Sequence, residues 1–125
     1  MQTQTFDPDK RRLLSILSHG SILASVAIVS AAIPLVILFV SDDSVVKDNA
    51  KEALNFHLNV WFWGALLGGF VGFLAFISFG LFGVLLSPLL ALGFLLHWGL
   101  TFWALAQCLT KPDQPVRYPL IFRIL

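Results

Sequence analysis

Residues 53–110 read ALNFHLNVWFWGALLGGFVGFLAFISFGLFGVLLSPLLALGFLLHWGLTFWALAQCLT, without a single aspartate, glutamate, lysine or arginine. A helix that crosses the hydrocarbon core of a bilayer needs about 20 apolar residues, so this stretch has room for two crossings. Near its middle, the uncharged, glycine-containing residues 78–83 predict a tight turn. The stretch therefore predicts a hairpin of two helices, each long enough to cross a membrane.

The composition of the whole chain agrees with a membrane protein. Hydrophobic residues make up 58% of its 125 residues and charged residues 12%, whereas about 25% of a typical soluble domain is charged. Residues 13–40 form a second stretch without charge. So short a chain cannot hide this much apolar surface in a water-soluble core. The predicted fold class is all-α, a polytopic integral membrane helical bundle in one domain.

The chain divides into three parts. Residues 1–9 form a polar tail, residues 10–110 form the helical membrane domain, and residues 111–125 form an amphipathic C-terminal tail expected to lie on the membrane surface. Two short helices in a hairpin and two long transmembrane helices give three to four spans. Their predicted ranges are about 10–26, 30–40, 45–78 and 84–109.

The path of residues 13–40 has two solutions. One continuous helix would be about 42 Å long and would have to tilt or kink across a core of about 30 Å. It would leave three of the eight lysines and arginines on one side of the membrane and five on the other. Two short helices that enter and return would keep all eight on one side. Because lysine and arginine concentrate in cytoplasmic loops, we favour the short hairpin, with both termini cytoplasmic.

Three glycines, Gly64, Gly68 and Gly72, recur every four residues on the first long helix. Such a stripe lets a second helix approach closely, and close packing drives helix association in lipid. Two interpretations stay open. We favour packing on the last helix of the same chain, and the alternative is contact with a second copy or another membrane subunit.

Polar residues also recur every four positions, at Lys47, Lys51, Asn55 and Asn59. The stripe of Lys51, Asn55 and Asn59 runs into the apolar region, where buried amides must find partners. One interpretation is hydrogen bonding between helices that stabilises the fold. The other is a hydrophilic path or a docking stripe.

Three histidines lie in or beside the apolar regions. His57 and His97 are candidate axial ligands for haem or chlorophyll. His97 is near the middle of the last helix, whereas His19 and His57 lie closer to the cytoplasmic end, so only those two are expected to match in depth. No carboxylate flanks any of the three. Hydrogen-bonded packing is the favoured interpretation, and we expect neither a cofactor nor a metal.

Other function classes lack support. There is no intramembrane acid, no set of serine, histidine and acid, and no metalloprotease motif, so we expect no enzymatic activity. The net charge of +1 is too small to neutralise a run of phosphates, which argues against nucleic acid as a partner. With Cys108 as the single cysteine, an internal disulfide is excluded.

Two segments together resemble a known family. Residues 49–57 (NAKEALNFH) and 117–123 (RYPLIFR), with 12–20 (RLLSILSHG), are similar to a bacterial membrane family of unknown function. That family is related to the twenty-kilodalton Tic subunit of the chloroplast inner-envelope translocon and to MamF-type magnetosome-membrane proteins. Residues 40–43 and 111–115 most resemble cyanobacterial members. The resemblance implies four helices, cytoplasmic (stromal) termini, a bacterial inner or thylakoid membrane, and no established catalytic residue.

These observations predict a protein that acts by association within the membrane. The leading hypothesis is an accessory or scaffold subunit of a larger complex, which the resemblance connects to protein translocation. Its expected partners are membrane lipids and other membrane subunits or a second copy. The alternatives are a small channel or transport subunit with a path lined by Asn55, Asn59 and His97, and a haem- or chlorophyll-binding protein using His57 or His97.

Overall fold

The computed structural model describes residues 5–24 and 27–125, and these residues contain helices and no strand. The predicted all-α class is confirmed, including two long helices apolar enough to span a membrane. The helices are α1 (Pro8–Gly20, followed by the 3-10 turn Ser21–Leu23), α2 (Ala27–Val40), α3 (Ser44–Ile77) and α4 (Leu81–Thr110). The predicted end of the first helix at residue 26 lies outside the described residues, as do residues 1–4 of the polar tail.

Local signals explain where the helices begin. The Asp7 side chain accepts hydrogen bonds from the backbone N–H groups of Asp9 and Lys10, and Pro8 occupies the first helical position. Asp43 caps α3 in the same way, by accepting from the N–H of Val45 at 2.9 Å. Both are side chains that satisfy the free N–H groups of a first helical turn.

The first two helices fold back on each other. Near the start of α1, Arg11 Nε donates to Asp43 Oδ2, just beyond the end of α2, at 2.6 Å. The same guanidinium reaches Asp113, after α4, also at 2.6 Å. A continuous helix over residues 13–40 would hold its ends about 42 Å apart. The structure thus has the short hairpin and not one continuous helix.

The turn between α3 and α4 is tight. Gly80 has φ +94°, a backbone conformation that favours glycine, and its N–H donates to Ala75 O at 2.7 Å. A Cβ added at Gly83 would lie 3.0 Å from Ala75 Cβ, so the two helices approach each other closely beside the turn. Helix α4 begins at Leu81, three residues earlier than predicted.

Burial divides the molecule into two parts. Apart from Val71, the buried residues of α3 lie between Val46 and Asn59, and those of α4 lie between Thr101 and Cys108. We call residues 5–24, 27–59 and 101–125 the head, and residues 60–100 the projecting hairpin. In the head, α1, α2 and the C-terminal segment (residues 111–125) cover the long helices. The projecting hairpin exposes its apolar side chains.

Candidate functional site

Four polar side chains of α3 form one buried face in the head. They are spaced three or four residues apart, which places them on one side of a helix, and each is at most 6% exposed. They are Asn49, Glu52, Asn55 and Asn59, and we call them the polar seam. A buried polar group without a partner costs about 1–3 kcal/mol, so the contacts of the seam decide whether the head is stable.

The polar seam binds the backbone of the C-terminal segment. Each of its four side chains accepts a hydrogen bond from at least one backbone N–H of that segment, at 2.7–3.1 Å. The pairs are Asn49 with Val116, Glu52 with Tyr118, Asn55 with Ile124 and Leu125, and Asn59 with Phe122. The N–H groups of a non-helical segment are thereby satisfied by side chains of a helix.

The order of these pairs describes the path of the segment. It follows α3 as far as Asn59 and then turns back, because residues 124 and 125 bind Asn55. Leu120, two residues before Phe122, has φ +63°. The amide of Asn59 also donates to the Phe122 carbonyl at 2.7 Å, so it bonds both backbone groups of one residue. The predicted surface-lying tail is therefore a hooked segment attached to α3.

A buried carboxylate anchors the hook. Glu52 is 1% exposed and accepts two hydrogen bonds from Arg123, at 2.7 and 3.0 Å. Arg117 lies 3.6 Å from the same carboxylate, and Arg123 also donates to the Tyr118 carbonyl at 2.8 Å. The hydrogen bond with Glu52 raises the pKa of Arg123. Two-point arginine–carboxylate pairs are among the stronger polar contacts in proteins.

His19 connects α1 to the seam. Its two ring nitrogens lie 3.0 Å from the Tyr118 hydroxyl and 2.9 Å from Asn49 Oδ1. The amide oxygen only accepts, so Nε2 carries the proton and Nδ1 accepts from Tyr118. Asn49 also donates to Ser15 Oγ at 3.1 Å. Helix α1, α3 and the C-terminal segment thus share one hydrogen-bond network, in which burial lowers the pKa of His19 to about 4 and raises that of Tyr118.

Comparison with known proteins identifies the family. Residues 10–125 match the model of the MamF/MmsF family, described as the magnetosome magnetite crystal formation protein family. The chain belongs to the MamF/MmsF family. This membrane family and the two long apolar helices indicate that the protein associates with a membrane. No curated protein and no solved structure matches the chain.

The MamF-type resemblance inferred from the sequence is therefore confirmed, whereas no comparison shows the relation to the twenty-kilodalton Tic subunit. The structure explains why residues 49–57 and 117–123 carried the resemblance together. Three of the four seam residues lie in the first segment, and the second segment contains Arg117, Tyr118 and Arg123, which bind Glu52 or its neighbours.

The predicted polar stripe of this MamF/MmsF protein is only partly present. Asn55 and Asn59 are buried, but Lys51 is exposed and lies outside the seam. Because the amides of Asn55 and Asn59 bind the C-terminal backbone, they are not free to line a hydrophilic path. Sequence reasoning missed Asn49 and Glu52. Their spacing from Asn55 was the available signal, since a spacing of three residues also defines a helix face.

The other two histidines lie nearer each other in depth than predicted. His97 stacks on Phe56, with ring centroids 5.9 Å apart, so it lies level with the residue before His57. The expectation that only His19 and His57 match in depth is wrong. His57 Nδ1 bonds the Ala53 carbonyl at 2.7 Å. Within residues 5–24 and 27–125, His57 Nε2 and His97 Nδ1 have no protein partner, and no three or more metal-binding side chains cluster.

The glycine stripe packs against no other part of the chain that the structure describes. A Cβ at Gly64, Gly68 or Gly72 would meet no atom of residues 5–24 and 27–125 within 4 Å. The favoured expectation, packing on the last helix of the same chain, is therefore wrong. A close approach between the long helices occurs instead at Gly83 and Ala75, beside the tight turn.

Glu52→Gln tests the anchor of the C-terminal segment. Glutamine still accepts from the Tyr118 N–H but no longer pairs with Arg123, so we expect a loss of roughly 1.5–3 kcal/mol in unfolding free energy. Lys51→Gln, the exposed neighbour, is the matched control and should change stability by less than about 0.5 kcal/mol. Thermal unfolding in detergent measures both, and equal effects would contradict the anchor.

His19 makes stability depend on pH. It lies in α1, a helix of 13 residues that is too short to cross a bilayer. Its folded pKa of about 4 lies below the unfolded value of 6.5. The neutral ring therefore contributes stability above pH 6.5, roughly 3 kcal/mol, which is lost as the pH falls from 6.5 towards 4.

The control is His19→Gln, which keeps a donor and an acceptor but does not titrate in this range. We expect the melting temperature of the unmodified protein to fall more between pH 7 and pH 4.5 than that of the variant. Parallel pH profiles would show that His19 is not the group responsible.

Proposed function

We propose that this protein is a small multi-pass membrane scaffold, an accessory subunit that acts by holding other membrane components together. The observation that carries the proposal is the exposure of the projecting hairpin. In the most apolar 18-residue windows of the long helices, 6% of the α3 window and none of the α4 window is buried inside the chain. Lipid or other membrane proteins must therefore surround both helices.

The dimensions and charges support a crossing by this hairpin. Residues 60–77 and 81–100 would form rods of about 27–30 Å, close to the thickness of the hydrocarbon core. All eight lysines and arginines lie in the head, and the turn at the far end of the projecting hairpin carries no charge. Because positive charge concentrates on the cytoplasmic side, the proposal places the charged end of the head and both termini on the cytoplasmic side of the membrane.

The open glycine stripe supports association. Exposed leucine and phenylalanine alone do not draw helices together in lipid, because acyl chains are equally apolar. A helix that reaches the backbone at Gly68 and Gly72 gains many close atom contacts, each worth roughly 0.1–0.2 kcal/mol. The proposed partner on this stripe is a second copy or another membrane subunit.

The other hypotheses have less support. A channel path would need Asn55 and Asn59 as free polar lining, but both side chains bind the C-terminal segment. The remaining support for a haem or pigment role is that His57 and His97 each have one ring nitrogen without a partner among the described residues. Translocation rested on the Tic resemblance alone. The family description refers to magnetite crystal formation in magnetosomes. If the protein takes part in that process, the exposed hairpin supports a role as a scaffold within the membrane. We propose no enzymatic activity.

Cysteine labelling tests the topology. In a Cys108→Ala background, single cysteines at Ser44, Phe79 and Gln114 should report the side of the membrane to an impermeant maleimide. We expect Ser44 and Gln114 to be labelled from the cytoplasm and Phe79 from the opposite side. Labelling of all three from one side would contradict a crossing by the hairpin.

A pair of glycine variants tests the association. Gly68→Leu adds a side chain at a position with no described neighbour within 4 Å. It also replaces a poor helix former, which favours the helix by up to about 1 kcal/mol. The monomer should therefore keep its melting temperature while co-purifying subunits or oligomers are lost. Gly83→Leu, which collides with Ala75, should instead lower the melting temperature. Retention of every partner by Gly68→Leu would contradict a scaffold acting through this stripe.

A further inference from the structure

A cleft of about 370 Å³ lies between α3 and α4, at the base of the projecting hairpin. Its walls are apolar, with Trp63 and Leu67 on α3 and Leu96 and Leu100 on α4. Leu120 and Ile121, at the turn of the C-terminal hook, close its head side. Volumes of about 300–1,000 Å³ are usual for small-molecule sites.

Two facing glycines keep the cleft open. Gly64 lines it from α3 and Gly93 from α4, and a Cβ at either position would meet nothing within 4 Å. The long helices touch near the turn and are joined in the head by Phe56 and its neighbours. Between these contacts they separate. A dry apolar cavity of about 150 Å³ holds a benzene ring, so this cleft has room for a chain of about a dozen carbon atoms.

One end of the cleft is polar. Asn59 and His97 line it there, and both backbone groups of Phe122 bond the Asn59 amide. His97 Nδ1 is buried without a partner among the described residues. A rotation of the His97 ring that turns this nitrogen to the cleft would let a hydrogen-bonding group of an occupant satisfy it, with the apolar part of the occupant lying between the helices.

The charge beside this end is positive. The carboxylate of Glu52 is shared by Arg123 and Arg117, so these three side chains together carry a net charge of +1. The side chains of Arg117 and Arg123 are 59% and 40% exposed, and Arg123 follows the cleft residue Ile121 by two positions. A phosphate at the membrane surface would find a cation there.

We propose that the cleft is a specific site for an anionic phospholipid. One acyl chain lies between α3 and α4, an ester carbonyl accepts from the His97 imidazole, and the phosphate pairs with the exposed guanidinium groups of the hook. The apolar walls match the acyl chain, the His97 ring matches the ester carbonyl, and the neighbouring positive charge matches the phosphate. The inference rests on the proposed membrane insertion of the hairpin.

Native mass spectrometry of the full-length protein in mild detergent tests the site. Phosphatidylglycerol and phosphatidylcholine with identical acyl chains are added separately. We expect phosphatidylglycerol to saturate at one molecule per chain and to bind roughly tenfold more tightly than phosphatidylcholine. Arg117→Gln should reduce this preference, whereas Lys111→Gln, an exposed cation outside the cleft, should preserve it.

Gly93→Leu and Gly99→Leu form the matched pair for the apolar part. Both glycines lie on α4 with open space around them, but only Gly93 lines the cleft. Gly93→Leu should weaken binding of phosphatidylglycerol roughly tenfold, because its side chain fills the volume of several methylene groups. Gly99→Leu should bind like the unmodified protein. Gly64→Leu repeats the test from the other wall if Gly93→Leu fails to fold.

Three results would overturn the proposal: equal binding by the Gly93 and Gly99 variants, equal affinity for the two lipids, or a lipid-free dimer that Gly93→Leu dissociates. The last result would assign the cleft to a second copy. Failure of the lipid site is distinguishable from failure of the proposed topology, because binding in detergent does not depend on membrane orientation and cysteine labelling does not depend on bound lipid.

Discussion

The structure depends on how the backbone of the C-terminal segment is satisfied. At a membrane, a chain that leaves a helix loses its internal hydrogen bonds where little water can replace them. Residues 111–125 contain no helix, yet Val116 and Tyr118 are buried. The polar seam provides acceptors for this segment at Asn49, Glu52, Asn55 and Asn59. Without this pairing, the seam would bury polar side chains that lack partners, and the segment would bury unpaired N–H groups.

The same contacts organise the rest of the head. Tyr118 is held by Glu52 through its N–H and by His19 through its hydroxyl, and it stacks on Phe56 at 4.1 Å. Through these contacts the segment joins α1 to α3. The ion pairs of Arg11 with Asp43 and Asp113 bring the start of α1, the start of α3 and the end of α4 together at the outer end of the head. Polar contacts thus fix the head, whereas the projecting hairpin has apolar walls and few internal contacts.

This division assigns different roles to the two halves of α3. Its first half is amphipathic and buried, and its second half is apolar and exposed. A protein whose activity depended on a closed internal site would cover its long helices. Here the polar interior of the head is closed, whereas the hairpin and the outer face of α2 expose apolar side chains. Recognition of lipid or of other helices therefore has to occur on these surfaces or in the cleft at the base of the hairpin.

Much of the fold could be predicted from the sequence, because it follows from local chemistry. The lack of charge in residues 53–110 requires apolar surroundings, Asp7 and Asp43 cap the helices that follow them, and the lysines and arginines favour a returning path for residues 13–40. Each of these signals acts within a few residues or through composition alone. Helix class, helix number and membrane association therefore needed no tertiary information.

The candidate site was decided by tertiary structure. Asn55 and Asn59 were visible as buried amides, but their partners lie 63–70 residues further along the chain, and an amide oxygen accepts from any N–H that reaches it. No periodicity encodes that choice. The glycine stripe was visible too, but whether it packs on α4 depends on how far apart the two helices lie away from the contact of Gly83 with Ala75. The sequence determined which groups needed partners, and only the packing of distant segments decided which partners they found.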